Sequence, residues 1–549
     1  MKKLFYILAA LSCLTLYAQA PNIQWQKTLG GADSESAESI LQTSDGGFIT
    51  VGNTNPYNSS NILAIKLDSS GNTQWQKSLG GSNDDTVNSV LQFSDGYIIS
   101  GNSNSNNGDV TGNHGGLDYW IIKLDLSGNI QWQKTLGGTS HEIIFSINKT
   151  SDNGYIISGA SSSYNGDVTE NYGDYDIWIV KLNSSGNIQW QKTLGGINDD
   201  FPQQIKQTSN GEYIVVGSSY SNVGNHGDSD IWVVKLNSTG NIQWQKSLGG
   251  SGKDVPDNFL QTSDGGYIIA GTSESNDGDV IGNHGGKDTW IVKLDALGSI
   301  QWNKSLGGSG EEPGSPLILQ ANDGGYTILT TTTSNDGDIV GSTPSTTLMV
   351  KLNNTGNIQW KNSFNNLGSN NIGEFPASLT QTSDNGYIIS INMEDTVTHI
   401  YNILVMKLDA TGNIVWEKPI HENMITSVKS LEKTTDGGFV LAGYSSGYTY
   451  ADFLIVKLGY PGTLGLSEVT KSNQILVYPN PAKDVVYLDY LPTGSTISIT
   501  DMSGKKLFSE KYNGIKASIN ICQFINGTYI IQAENHGKII LSEKLLINR

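Results

Sequence analysis

The side chains of this sequence with the most capacity for chemistry are carboxylates that recur in glycine-rich loops. One set lies in links such as Gly80-Gly81-Ser82-Asn83-Asp84-Asp85, Gly195-Gly196-Ile197-Asn198-Asp199-Asp200 and the stretch from Gly307 through Glu311-Glu312. A second set lies in Asn107-Gly108-Asp109, Asn165-Gly166-Asp167, Asp277-Gly278-Asp279 and Asp336-Gly337-Asp338. The candidate ligand-contacting residues are therefore Asp84, Asp85, Asp109, Asp167, Asp199, Asp200, Asp279 and Asp338. Hard oxygen ligands at this density suit calcium. No loop carries the ligand series of an EF-hand, and Asp or Asn beside Gly closes a tight turn without an ion. The turn reading is preferred, with calcium as the metal alternative. Carboxylate pairs also hydrolyse glycosidic bonds, and spacing alone does not exclude such a pair here.

Other chemistries find less support. His114, His226 and His284 recur in GNHG segments, with Tyr172 at the same phase. Equivalent positions on neighbouring repeats lie about 10 Å apart or more, whereas one zinc ion needs its ligands at about 2 Å. These histidines read as loop packing. There is no Ser/His/Asp set, phosphate loop or HExxH segment. No catalytic residue and no cofactor is assigned, and the expectation is a non-enzyme.

The formal net charge is -19. Residues 465–549 carry +2, so the rest of the chain carries -21. Such a surface repels nucleic acid and anionic lipid, and it draws cations or basic partners. Every basic residue except Arg549 is lysine, so the acidic part has no guanidinium fork for phosphate. Lys2 and Lys3 precede an apolar run from Leu4 to Leu16, too short to span a bilayer. Residues 1–18 therefore read as a secretory signal peptide cleaved after Ala18. Cys13 falls in that leader, which leaves Cys522, expected as a small buried hydrophobe, and no disulfide.

The elements that must position the carboxylates are repeats. Tryptophan recurs in NIQWQKTLGG-like segments at Trp25, Trp75, Trp132, Trp190, Trp244, Trp302, Trp360 and Trp416. An SDGGY-type turn and a WIVKLD-like strand each recur eight times. In the fifth copy the reading is Asn258 to Thr262, Tyr267 to Thr272, Thr289 to Asp295 and Ile300 to Leu306, four short antiparallel strands. The array starts with a lone fourth strand, Ile23 to Leu29, and ends after a third strand at Leu458. Pairing the two removes two exposed sheet edges. The predicted fold is all-β: an eight-bladed β-propeller over 19–458, closed by the N-terminal strand. A linker follows at 459–473, then a small Ig-like β-sandwich over 474–549. The tryptophans are expected to pack between blades.

Two resemblances refine this reading. Leu67 to Trp75 (LDSSGNTQW), Leu182 to Trp190 and Leu408 to Trp416 resemble the tryptophan-docking motif of quinoprotein-type eight-bladed propellers. That resemblance implies the fold and not the activity, because the mature propeller lacks the vicinal cysteines of quinoprotein dehydrogenases. The C-terminal segment resembles the type A sorting domain of type IX secretion substrates. The matching residues are Tyr478-Pro479-Asn480-Pro481, Asp484, Asp501, Gly504-Lys505, Gly527, Tyr529 and Lys544. This implies a type IX translocon as partner, outer-membrane crossing, removal of the domain, and a passenger that is released or anchored to surface glycolipid. The expected function is an exported binding protein for glycan or protein. A secreted polysaccharide-active enzyme and a structural adhesin or spacer are the alternatives.

Overall fold

The computed structural model describes the chain from Ala20 to Asn548, except residues 32, 55–58, 222–223, 341–345, 365–371, 396–400, 421–424, 447–449, 461–474, 479–481, 490, 502–503, 515 and 536–537. The leader, most of the linker, Pro479, Asn480 and Pro481 lie outside the described residues. Two compact units are present, Met1–Thr463 and Leu464–Arg549.

The larger unit contains, among the described residues, eight four-stranded antiparallel sheets. In the fifth, Asp254–Gln261, Tyr267–Ser273, Asp288–Leu294 and Ile300–Leu306 pair in chain order. The second and third strands, YIIAGTS and DTWIVKL, are buried along their whole length, and the outer strand is only partly buried. Near-continuous apolar and β-branched runs are what a strand covered on both faces requires. The turn before Tyr267 closes with Thr262 N–H donating to Gly266 O at 2.9 Å, and Gly265 takes a φ of +82°. That left-handed conformation is why glycine recurs there.

One boundary differs from the sequence expectation. The first strand begins at Asp254, four residues before Asn258, and passes through a bulge between Pro256 and Asn258. Proline suggests a break, but this strand is a sheet edge, where an absent N–H costs no ladder bond.

The eight first strands touch one another in turn around a closed cycle, so they form the inner wall of a ring. The final sheet is completed from the other end of the chain. Ile23–Leu29 pairs antiparallel with Ala451–Leu458, with Gln26 opposite Val456 and Leu29 opposite Phe453. Gly459 N–H donates to Asn22 O at 3.0 Å beside it. The topology is that of a β-propeller.

Neighbouring sheets are joined by two repeated contacts. Each outer-strand tryptophan leans on the next sheet: Trp75 Nε1 donates to Leu126 O at 3.1 Å, and its ring stands 6.1 Å from that of Tyr97. Trp25, Trp190 and Trp302 repeat this with Ser69, Ser238 and Asn354. The ring lies flat on a turn glycine; a Cβ on Gly128, whose φ is +80°, would come within 2.9 Å of Trp75. Gly128→Val is therefore expected to cost about 3 kcal/mol, from the left-handed backbone plus the lost stacking. Calorimetry against Ser127→Ala as a control checks this.

The second contact is a glutamine at the end of the first strand. Gln92 Oε1 accepts from Ser44 N–H at 2.9 Å, and Gln207 and Gln320 make the same bond to Ser151 and Ser263. Gln42 makes it to Thr435 at 2.7 Å, across the closure of the ring.

The smaller unit has two antiparallel sheets. Leu476–Tyr478, Val485–Asp489 and Lys516–Asn520 form one; Lys506–Tyr512, Ser495–Asp501, Gly527–Asn535 and Lys538–Ile547 form the other. They share one apolar core that includes Val486, Leu488, Ile519, Ile497, Ile531 and Leu545.

Candidate functional site

The rim carboxylates fall into three environments. Asp109, Asp167 and Asp279 each accept from the first glycine N–H of a link, Gly80, Gly137 and Gly249, at 3.3–3.4 Å. They brace one loop against another. Asp84 and Asp199 accept from Ser60 N–H and Tyr175 N–H, both at 3.1 Å. Asp338 lies 3.5 Å from Lys304 Nζ and 3.8 Å from His284 Nε2.

Asp85 and Asp200 correct the sequence reading. Both are fully buried and cannot meet a ligand at the rim. They open their first strands, where the side chain turns into the junction between two sheets rather than out to water.

That junction contains an arrangement absent from the sequence candidates. An acid opening a third strand faces an acid that opens the next sheet's first strand or, for Glu312, precedes it by five residues. The pairs are Asp118 with Glu142, Asp176 with Asp200, Asp230 with Asp254, and Asp288 with Glu312. A link glycine separates each pair; a Cβ on Gly137 would lie 2.6 Å from Asp118 Oδ1 and 2.2 Å from Glu142 Oε2. The recurrent GG is thus a requirement of close approach. All eight acids are fully buried, and among the described residues the Oδ1 atoms of Asp118, Asp176, Asp230 and Asp288 have no hydrogen-bond partner. Burial pushes Asp118 and Asp176 up to about 6, with the charges of Glu142 and Asp200 adding to the shift. Burial likewise raises Glu312 to about 7, and Asp288 adds to it. The signal was present in the sequence as Asp two residues before tryptophan in DYW, DIW and DTW.

The GNHG histidines cap these buried acids. Nδ1 of His114, His226 and His284 lies 2.6–2.9 Å from Asp118, Asp230 and Asp288. Tyr172, at the same phase, donates its backbone N–H to Asp176, a bond the three histidines also make to their acids. Among the described residues no group of three or more His, Cys, Asp or Glu is arranged to hold a metal ion.

At the opposite end of the same strands a buried lysine recurs. Lys66, Lys181 and Lys293 donate to Asp45, Asp152 and Asp264 of the glycine turns and to the next residue's carbonyl. Burial pushes those aspartates up, but hydrogen bonds from the turn threonines Thr43, Thr150 and Thr262, from these lysines and from the turn glycine N–H groups together lower them to about 2.

A further cluster on this rim is aromatic and departs from the repeat. Tyr164, Tyr175, Phe201 and Phe145 stand where other units carry residues such as Asn222, Ser229, Val255 and Asn88. Phe201 lies 5.6 Å from Tyr175 and 6.2 Å from Phe145, centroid to centroid. Tyr164 is 67% exposed, and its hydroxyl donates to Gly173 O at 2.5 Å. It lines a cleft of about 370 Å³ with Tyr175, Asp174, Asp199, Ser140 and Ser162.

In the smaller unit the motif residues build turns and core. Asp501 Oδ1 accepts from Lys505 N–H at 3.0 Å across a turn in which Gly504 has a φ of +85°. Tyr529 is buried against Phe524, and its hydroxyl donates to Ile525 O at 2.8 Å. Tyr478 pairs with Tyr487, Gly527 with Ile547 and Lys544 with Ile530. Asp484 O accepts from Ile521 N–H at 2.9 Å. Cys522 is exposed, not buried as expected, because it lies in the turn after Ile521 where Asn520 Oδ1 takes its N–H. Residues 476–548 match the family described as the secretion system C-terminal sorting domain.

This tail is a type IX sorting domain.

The sorting domain directs the chain to the secreted or cell-surface compartment. No helix among the described residues is long and apolar enough to cross a membrane. Among curated proteins, none matches this chain in sequence. Among solved structures, the WD40 domain of SCAP from fission yeast is similar over 80% of this chain and 98% of that one, at 10% identity and a TM-score of 0.43. The Neurospora crassa Pan2 WD40 domain is similar over 82% and 98%, at 10% identity and a TM-score of 0.37. The propeller assignment rests on the sheet topology.

Proposed function

We propose that the propeller is an exported, non-catalytic binding module whose ligand, a glycan or a protein, is met at the rim. The observation that carries this reading is the asymmetry of that rim. Docking tryptophans, glutamines and turn glycines repeat around the ring, while Tyr164 and Phe145 interrupt it and gather with Tyr175 and Phe201 in one sector. A scaffold needs the former; a specific ligand needs the latter.

The mature chain is expected to bind a polysaccharide or a surface protein without turning it over. Release of reducing ends from a soluble polysaccharide, lost in Asp199→Asn, would replace this reading with the enzyme alternative. After export the sorting domain is removed, and the passenger is held by surface glycolipid or released. Stopping the chain before Leu464 is expected to reduce the extracellular protein at least about tenfold, with the propeller accumulating inside the cell. Immunoblots of the two fractions read this out, and undiminished export would count against the tail's role.

A further inference from the structure

We propose that the aromatic cleft of the third and fourth sheets is a subsite for neutral saccharides; this rests on the binding reading above and names the ligand class. The cleft offers what a pyranose uses. Tyr164 presents an open ring face, fixed in place by its hydroxyl bond to Gly173 O. Such a face stacks against the C–H side of a sugar and releases water from both. Asp174 and Asp199 supply carboxylate oxygens for sugar hydroxyls, and charge-assisted bonds of this kind are stronger than neutral ones. Ser140 and Ser162 add groups that both donate and accept.

The charge sorts among ligands. No basic side chain lines the cleft, and the part of the chain that carries it is strongly acidic. Uronic, sulfated and phosphorylated sugars are therefore repelled. A cationic peptide is drawn by the same carboxylates. It has less use for a rigid, widely exposed ring standing above them. Tyr164 and Tyr175 in the cleft, with Phe201 beside Tyr175 and Phe145 beside Phe201, fit a chain of several sugar units better than one side chain.

The experiment is calorimetric titration of the mature chain with cello-, xylo-, manno- and malto-oligosaccharides, with polygalacturonate and poly-lysine as charged comparators. At least one neutral oligosaccharide is expected to bind. Tyr164→Ala is expected to weaken it about tenfold or more, and Tyr164→Phe to retain most of the affinity. Tyr164 is at the surface, so both variants should melt with the parent, and Asp174→Asn provides a second variant with a weaker loss. Neutral sugars that fail to bind, unchanged affinity in Tyr164→Ala, or binding of a charged comparator alone overturns the assignment. Capture of a surface protein through the rim with no sugar bound leaves the binding module standing and removes only the saccharide.

Discussion

Deleting Ile23–Leu29 from the mature chain is expected to abolish cooperative folding of the propeller. This strand is the outer member of the last sheet, and it pairs with Ala451–Leu458 across the whole length of the array. Without it, two features fail together. The third strand Ala451–Leu458 becomes an open edge with unpaired N–H and C=O groups, a template for intermolecular pairing. Trp25, which packs at 5.5 Å on Phe48 and donates to Ser69 O, no longer joins the last sheet to the first. Loss of any other outer strand would open one edge inside a ring still closed by chain connectivity. Loss of this one removes the strand that ties the last sheet to the chain's start by ladder hydrogen bonds. The expected outcome is aggregation on size exclusion, or a melting temperature lower by about 10 °C or more in calorimetry. A truncated chain that stays monomeric and melts within about 2 °C of the parent would falsify the closure.

The second large effect is a loss of stability as pH rises. Six of the buried junction acids, Asp118, Asp176, Asp200, Asp254, Asp288 and Glu312, bind protons more tightly folded than unfolded, chiefly because burial disfavours their charged form. Asp118 and Asp176 move from 3.8 to about 6, and Glu312 from 4.5 to about 7. The folded state therefore holds more protons between about pH 4 and pH 7, and its stability falls across that window as pH rises. Each shift of two units is worth about 2–3 kcal/mol at most. Three such groups in a ring of this size lower the melting temperature by about 5–10 °C between pH 4.5 and pH 8. The turn aspartates held near 2 by threonine hydroxyls, the buried lysines and turn N–H groups act in the opposite sense. Their contribution disappears only as pH falls below about 4. Maximum stability is thus expected near pH 4–5. Asn61 already occupies the Asp118 position in the first sheet, facing Asp85 across Gly80. Asp118→Asn should accordingly raise the melting temperature at pH 8 by about 1–3 °C and change it little at pH 4.5. Calorimetry in chelator at the two pH values reads both results, and a melting temperature that is flat or rising over this range sinks the account.

Much of this architecture was legible in the residues. The SDGGY turns, the WIVKLD strands and the tryptophan-docking segments are local patterns, and each builds the element its period and turn chemistry imply. The phase of the array, starting on Ile23–Leu29 and stopping at Leu458, carried the closure. The tail's turn at Asp501-Met502-Ser503-Gly504-Lys505 was readable for the same reason. The rim was not readable in that way. Asp84 and Asp85 are adjacent in sequence, yet one is exposed and the other has no exposure at all. Asp118 and Glu142 were not singled out, yet they face each other across Gly137. Nor did the sequence mark Tyr164 and Asp199 as lining one cleft, since they lie 35 residues apart on different loops.

By itself the sequence determined the strands, the repeat, the end at which the ring closes and the export tail, because each depends on residues close along the chain or on chain order. Only the tertiary structure decided which acids meet water, which meet another acid, and where aromatic rings gather. Those properties belong to the junction between sheets, where distance is set by packing and not by separation in sequence.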